Sequence, residues 1–171
     1  MGRRFNDTGT CIPEKHFMVD LSRKLPAVVK MVEDGNYFVV NRPRQYGKTT
    51  LLYLLNQHLI TRDDYFPINI SFEGISSDSY KNEESFCEAF LIELKTLFKF
   101  SGTKEIQDFI ETGFEVKTLP RLSLWITDLV LKIGKKTILM IDEVDKSSNN
   151  QLFLDFLAIL RNKYLKYSAA A

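Results

Sequence analysis

Three compact apolar runs, residues 37–40 (YFVV), 66–72 (FPINISF) and 137–141 (TILMI), are set into a chain of 171 residues with helix-length stretches around them. The first and third are compact apolar runs, the pattern of a buried strand, and the second, interrupted by Asn69 and Ser71, is a further strand candidate. Between them the apolar positions change to helical spacing: Leu51, Leu52, Leu55 and Leu59, then Phe86, Phe90, Leu94, Leu97 and Phe98, then Leu152, Phe153, Phe156, Leu157 and Leu160. Further helices are expected at 25–34, 105–111 and 119–133, with Asn82 an N-cap for the helix that follows it. A short strand is expected at 16–20. Strands alternating with helices long enough to cross over predict an α/β fold, a mostly parallel sheet flanked by helices.

The loop after the first run carries the most chemistry. Residues 41–50 read NRPRQYGKTT, which closes like the phosphate-binding loop G-x-x-x-x-G-K-[ST] but has Arg42 where the first glycine belongs. In such a loop successive backbone N–H groups point inward and the following helix adds its positive end, which makes an anion hole for a triphosphate. Gly47 permits the close backbone approach, and Lys48 carries a cation to the β and γ phosphates. The Thr49 hydroxyl is a magnesium ligand, and Thr50 reaches the α phosphate. Arg44, Gln45 and Tyr46 complete the cradle, while Pro43 stiffens the turn that the missing glycine would ease. Arg42 and Arg44 either touch phosphates or shape the loop through salt bridges, with Asp145 one partner. A bare GKT is weak evidence; its position between an apolar run and an amphipathic helix is what gives it meaning.

A second motif is TILMIDEVD, residues 137–145, an apolar run that delivers two carboxylates at its C-terminal edge. Ligands of α/β sheets bind at that edge, so Asp142 and Glu143 are expected to share a crevice with Gly47, Lys48 and Thr49. Asp142 would hold Mg²⁺ through water, and Glu143 would polarise the attacking water as a general base.

Composition narrows the partners. With 23 Lys+Arg against 22 Asp+Glu, the net charge of +1 gives no electrostatic case for a nucleic acid or a membrane surface. No apolar run approaches the roughly 18 residues of a span. Cys11 and Cys87 fit neither a disulfide framework nor a zinc site, and Cys87 is expected to be buried on a helix. Arg3-Arg4 lacks the apolar segment of a secretion signal, and a cytoplasmic location follows by default. His16 and His58 read as packing or surface residues. Glu83, Glu84 and Glu88 read as a solvated helix face.

Taken in order, FMVDLSRKL, YFVVNRPRQYGKTTLL, INISFEG, ILMIDEVDK and FLDFLAILRNKYL resemble the bacterial AAA-like P-loop ATPases, a branch of the additional-strand, catalytic-glutamate NTPases related to the STAND signalling ATPases. The likeness covers residues 9–166. In that group the first glycine is often replaced within an [NS]RPRxxGK-like loop. The resemblance implies Lys48 as phosphate contact and catalytic lysine, Thr49 and Asp142 as the metal site, Glu143 as catalytic glutamate, and ATP with Mg²⁺ as ligands. It implies slow ATP hydrolysis in the intact parent. The alternative is a non-hydrolysing, nucleotide-dependent switch that closes onto a protein partner or a second copy.

The resemblance also implies domain bounds: an N-terminal segment at 1–15, a P-loop NTPase domain at 16–166, and a tail at 167–171 that is either non-native or of unassigned residues. Proteins of this class insert a further strand, bearing a polar sensor residue, between the P-loop strand and the strand that carries the Asp-Glu pair. No such strand and no later arginine finger can be read before residue 166, so the domain is expected to be C-terminally incomplete. Unless the strands at 37–40 and 137–141 pair directly, the slot between them is expected to be filled by a segment from another chain or by unassigned residues such as the tail.

Overall fold

The computed structural model describes residues 11–12, 15–17, 21, 23–41, 47–100, 103–144 and 149–168. Their elements run α1 (Lys24–Glu33), α2 (Lys48–Ile60), β1 (Tyr65–Ser71), α3 (Glu83–Phe98), α4 (Lys104–Thr112), α5 (Leu119–Ile133), β2 (Lys136–Asp142) and α6 (Gln151–Ser168). The two strands pair in parallel, in register from Tyr65↔Lys136 to Ser71↔Asp142. A parallel pair needs a crossover, here supplied by α3, α4 and α5. The result is a small parallel sheet flanked by helices, a mixed α/β fold.

Strand alternation sorts the side chains onto two faces. Ile68 and Ile70 of β1 and Phe72 just after it, with Leu139 and Ile141 of β2, join α3, α4, α5 and α6 in the larger core. Its centre is aromatic: Phe72 lies 5.0 Å from Phe153, and Phe156 lies 5.0 Å from Phe90 and 5.2 Å from Phe86, centroid to centroid. All are strongly tilted, an arrangement that aromatic quadrupoles favour. On the opposite face Tyr65, Ile138 and Met140 meet Val28 and Val32 of α1 and Leu51, Leu55 and Leu59 of α2. Cys87 is buried in the larger core, as its place in the helical pattern predicts.

Every helix of the larger core is closed at its N-terminus by a side-chain oxygen. Asn82 Oδ1 accepts the Ser85 N–H at 2.9 Å, and Thr103 Oγ1 accepts that of Ile106 at 3.4 Å. Asn150 Oδ1 accepts from Leu152 at 3.0 Å and from Phe153 at 3.4 Å. The cap of α5 comes from another helix: Leu119 N–H donates to Glu83 Oε2 at 2.7 Å. Glu83 is therefore not simply part of a solvated face. Glu84 does point outward, where it pairs with Lys117 at 2.8 Å, and Glu88 is exposed.

Two strand expectations need correction. Residues 37–40 belong to no strand among the described residues, and no ladder joins them to β2. They are not buried on both faces either. Phe38 and Val40 pack into the α1–α2 cluster, whereas Tyr37 is 42% and Val39 74% exposed. The apolar run alternates in the structure, one side on α1 and α2 and the other on a groove of ≈ 550 Å³ shared with Leu154, Leu157 and Arg161 of α6. Tyr37 reaches across that groove to Tyr164, ring centroids 5.8 Å apart. The β2 strand is also less enclosed than a continuous apolar run suggests, since Met140 alone of its residues is buried. A strand is buried on both faces only when neighbours and both helical layers cover it; here β1 is its sole ladder partner among the described residues.

Of the strand expected at 16–20, residues 18–20 lie outside those described, as do residues 169–171 of the tail. No helix among the described residues is long and apolar enough to cross a membrane.

Candidate functional site

Helix α2 begins at Gly47, whose backbone is left-handed, φ 76° and ψ 25°. Glycine adopts that conformation without steric cost, and a Cβ there would be strained although it would meet no atom within 4 Å. The Gly47 carbonyl accepts the first intrahelical bond, from Leu51 N–H at 2.8 Å. Its N-cap residue, a glycine, has no side chain to offer, and its first turn holds no acid. In a helix the first N–H groups have no intrahelical acceptor and carry the positive end of the dipole. Here they are left to a loop or a ligand. Gly47 and Lys48 are half-buried, Thr49 is exposed, and Thr50 is buried. The Thr50 Oγ1 accepts the backbone N–H of Cys11 at 3.3 Å.

The direction of α2 follows from its other end. Arg62 N–H bonds to the Leu59 carbonyl at 3.1 Å and Tyr65 N–H to that of Arg62 at 3.3 Å, so the helix reverses through a tight turn straight into β1. A knot of charges on the Tyr65 ring fixes that corner. The Arg62 guanidinium lies 4.6 Å and the Lys136 ammonium 5.3 Å from the ring centroid. Hydrogen bonding to Glu33, followed by the field of Asp64, raises the Arg62 pKa further. Thirteen helical residues rise about 20 Å and seven strand residues about 23 Å, so α2 runs back along the full strand length. Gly47, Lys48 and Thr49 therefore stand at the C-terminal edge of the sheet.

The carboxylates stand at the same edge. Asp142 is the last residue of β2, and its carbonyl accepts Phe72 N–H at 3.1 Å as the ladder ends. Glu143 follows with φ 56°, the one non-glycine residue with positive φ among those described. For a residue with a Cβ that conformation costs about 1–3 kcal/mol, and such outliers cluster at functional sites. It is held by the preceding side chain: Glu143 N–H donates to Asp142 Oδ1 at 2.9 Å. Both carboxylates are half-buried, placed between solvent and the end of the sheet.

The order and direction of the elements thus put Gly47, Lys48 and Thr49 toward the sheet edge at which β2 ends in Asp142 and Glu143. Arg42, Pro43, Arg44, Gln45, Tyr46 and Asp145 lie outside the described residues. No group of three or more His, Cys, Asp and Glu side chains is assembled for a metal among those described. A phosphate-linked Mg²⁺ needs no such group: it keeps several waters and takes one or two protein oxygens besides the phosphates. The exposed Thr49 hydroxyl and the Asp142 carboxylate, with one oxygen engaged by a single N–H, suit that demand. Two features of the site carried no signal in the sequence. The left-handed backbone at Glu143 is set by a turn, and the Cys11–Thr50 bond spans 39 residues.

Among known proteins, the family model of the AAA-like domain matches residues 14–170. No curated protein and no solved structure matches the chain. The match takes in the glycine-opened helix and the acidic strand end together, and the family implies nucleotide binding of the ATPase type. On that match and this geometry, the chain belongs to the AAA-like domain family.

Proposed function

We propose that residues 16–166 form a P-loop NTPase domain of the STAND-related kind, which binds Mg²⁺-ATP at the C-terminal edge of the sheet and hydrolyses it slowly. The observation that supports this reading is the left-handed Gly47 that opens α2, together with the positive-φ Glu143 tied to Asp142 where β2 ends. Phosphate oxygens would take the place of the missing cap on α2, with the Lys48 ammonium neutralising the β and γ groups. Residues 44–46 would extend the cradle ahead of Gly47, and Thr50 would face the α phosphate. Thr49 and Asp142 would hold Mg²⁺, which when bound offsets charge on the phosphates. Glu143 is the candidate base. Its turned backbone, tied to Asp142, fixes where its carboxylate leaves the strand end, and a water held there would be oriented for in-line attack.

Titration with a fluorescent ATP analogue tests the binding half: saturable binding by the wild type and its loss in Lys48→Ala are expected. Equal affinity in that variant would remove the loop from the site. Phosphate release tests the second half, with Glu143→Gln expected to lower turnover at least tenfold while binding is retained, within the 10²–10⁴-fold range of general-base catalysis or just below it. Binding with no turnover in either form would point instead to a nucleotide-dependent switch.

A further inference from the structure

Among the described residues only two polar side chains are buried, His16 at 7% and Thr50 at 8% exposure, and they hold two consecutive backbone N–H groups. Cys11 N–H donates to Thr50 Oγ1 at 3.3 Å, and Ile12 N–H donates to His16 Nδ1 at 3.0 Å. The turn is closed from the other side by the Ile12 carbonyl, which accepts from Lys15 at 3.0 Å and from His16 at 2.8 Å. Burying a hydroxyl and an imidazole is costly unless each is hydrogen-bonded. Both are satisfied by the same short piece of N-terminal chain. Thr50 lies in the first turn of α2, directly after Lys48 and Thr49, so that piece is fastened to the turn proposed to meet the phosphates.

We infer that Thr50 and His16 form a latch in which the Thr50 hydroxyl docks the Cys11 backbone onto the first turn of α2 while His16 braces the docked turn from within, which makes Thr50 a positioning residue that couples the N-terminal turn to nucleotide binding. The coupling rests on the reading of α2 as the phosphate helix; the latch does not. A docked turn shields the base of that helix and fixes where its first residues stand, so a ligand that orders the helix also favours docking. Linkage makes the effect reciprocal: loosening the turn weakens nucleotide binding by the same factor by which nucleotide tightens the turn.

The latch is read on the 171-residue chain without nucleotide, by amide exchange at Cys11 and by tryptic cleavage after Lys15, which is exposed. Thr50→Val keeps the shape and removes the acceptor; Thr50→Ser keeps the acceptor. Thr50→Val is expected to speed Cys11 exchange and Lys15 cleavage about two- to tenfold, the range for one net hydrogen bond, and Thr50→Ser to restore both. His16→Phe releases the same turn from its other end and serves if Thr50→Val fails to fold. With the fluorescent ATP analogue and Mg²⁺, Thr50→Val should bind about two- to tenfold more weakly, and nucleotide should slow Lys15 cleavage in the wild type. Unchanged exchange and cleavage in both Thr50→Val and His16→Phe would overturn the latch. Weaker nucleotide binding by Thr50→Val with an undisturbed turn would leave Thr50 a phosphate contact alone and overturn its positioning role. A looser turn with unaltered affinity would overturn the coupling. Failure of the wild type to bind the analogue at all would sink the nucleotide reading and the coupling, leaving the latch to the nucleotide-free measurements.

Discussion

The two faces of the sheet are built to different standards. On one, α3, α4, α5 and α6 close around Phe72, Phe86, Phe90, Phe153 and Phe156, each at most 1% exposed, and every helix N-terminus is capped by Asn82, Thr103, Glu83 or Asn150. On the other, α1 and α2 contribute an aliphatic cluster of Val and Leu, and neither helix has a side-chain cap or an acid in its first turn. The first face satisfies its own polar groups. The second opens its helix α2 on a glycine, toward the edge where β2 ends in Asp142 and Glu143. Stability concentrated on one face allows the other to carry a site whose groups are held for a ligand, which is the division expected of a binding domain.

The comparison can be broken most directly at its aromatic centre. Phe156 is fully buried against both Phe86 and Phe90. Phe156→Ala is expected to cost about 3–5 kcal/mol, a large share of the roughly 5–15 kcal/mol that holds a domain together. Urea unfolding should show a large fall in midpoint. A loss under 1 kcal/mol would mean that the aromatic cluster is not the main support of the fold.

The dryness of that face has a pH signature. Burial, with the charge of Glu83 second, pushes the Cys87 thiol from 9.0 up to about 11. Below the unfolded value both states hold the proton and the contribution is complete. As pH rises from about 9 towards 11 the unfolded chain loses its proton first, so stability falls, by on the order of 2–3 kcal/mol once both have titrated. Wild type should therefore lose more stability than Cys87→Ala between pH 8 and pH 10.5 in parallel urea titrations. Identical pH profiles would show the thiol to be in reach of water.

A smaller effect is expected where α4 meets α5. Gly113 has an ordinary helical φ of −66°, so its backbone does not require glycine. Space does: a Cβ would lie 2.6 Å from Leu91 Cδ2 and 3.0 Å from two atoms of the Trp125 ring, which is itself stacked on Phe109. Gly113→Ala is expected to cost about 1–3 kcal/mol by overpacking and to shift the emission of Trp125, the single tryptophan. Unaltered emission and stability would show that Leu91 gives way freely.

What the sequence revealed follows the range of the interactions concerned. Helical periodicity in α2, α3, α5 and α6 is local, and the structure places those helices within a few residues of where the pattern does. Phe66 to Phe72 and Thr137 to Ile141 were legible as strands for the same reason, and the Asn82 cap needs only a residue three positions on. The expectation that GKT and Asp-Glu share an edge needs only the order of strand, helix and strand, which fixes which ends coincide. Misjudgement began where the partner is remote. Whether residues 37–40 join a ladder depends on a neighbour that the run itself does not name, and an apolar run reads the same with or without one. Glu83 looks like any surface acid until Leu119, 36 residues away, is seen to donate to it. The bond from Cys11 to the Thr50 hydroxyl joins residues 39 apart, and the neighbours of neither announce it.

The smallest effect separates the two faces most cleanly, because it concerns the helix ends themselves. Asn82 satisfies the Ser85 N–H and opens a helix whose first turn already carries Glu83 and Glu84. Asn82→Ala should cost about 1 kcal/mol, seen as a modest fall in urea midpoint, because one orphan donor loses its acceptor. That cost should be the same with or without Mg²⁺-ATP, since the cap is internal and distant in role from the proposed site. On α2 the corresponding acceptor would be the ligand, so nucleotide alone should stabilise the wild type, by about 2.7 kcal/mol at a hundred times its dissociation constant. In Asn82→Ala that increment should be undiminished, and in Lys48→Ala it should vanish although the nucleotide-free stability hardly moves. If Asn82→Ala instead removed the nucleotide increment, the two faces would not be independent, and the end of α3 would have to be counted part of the site.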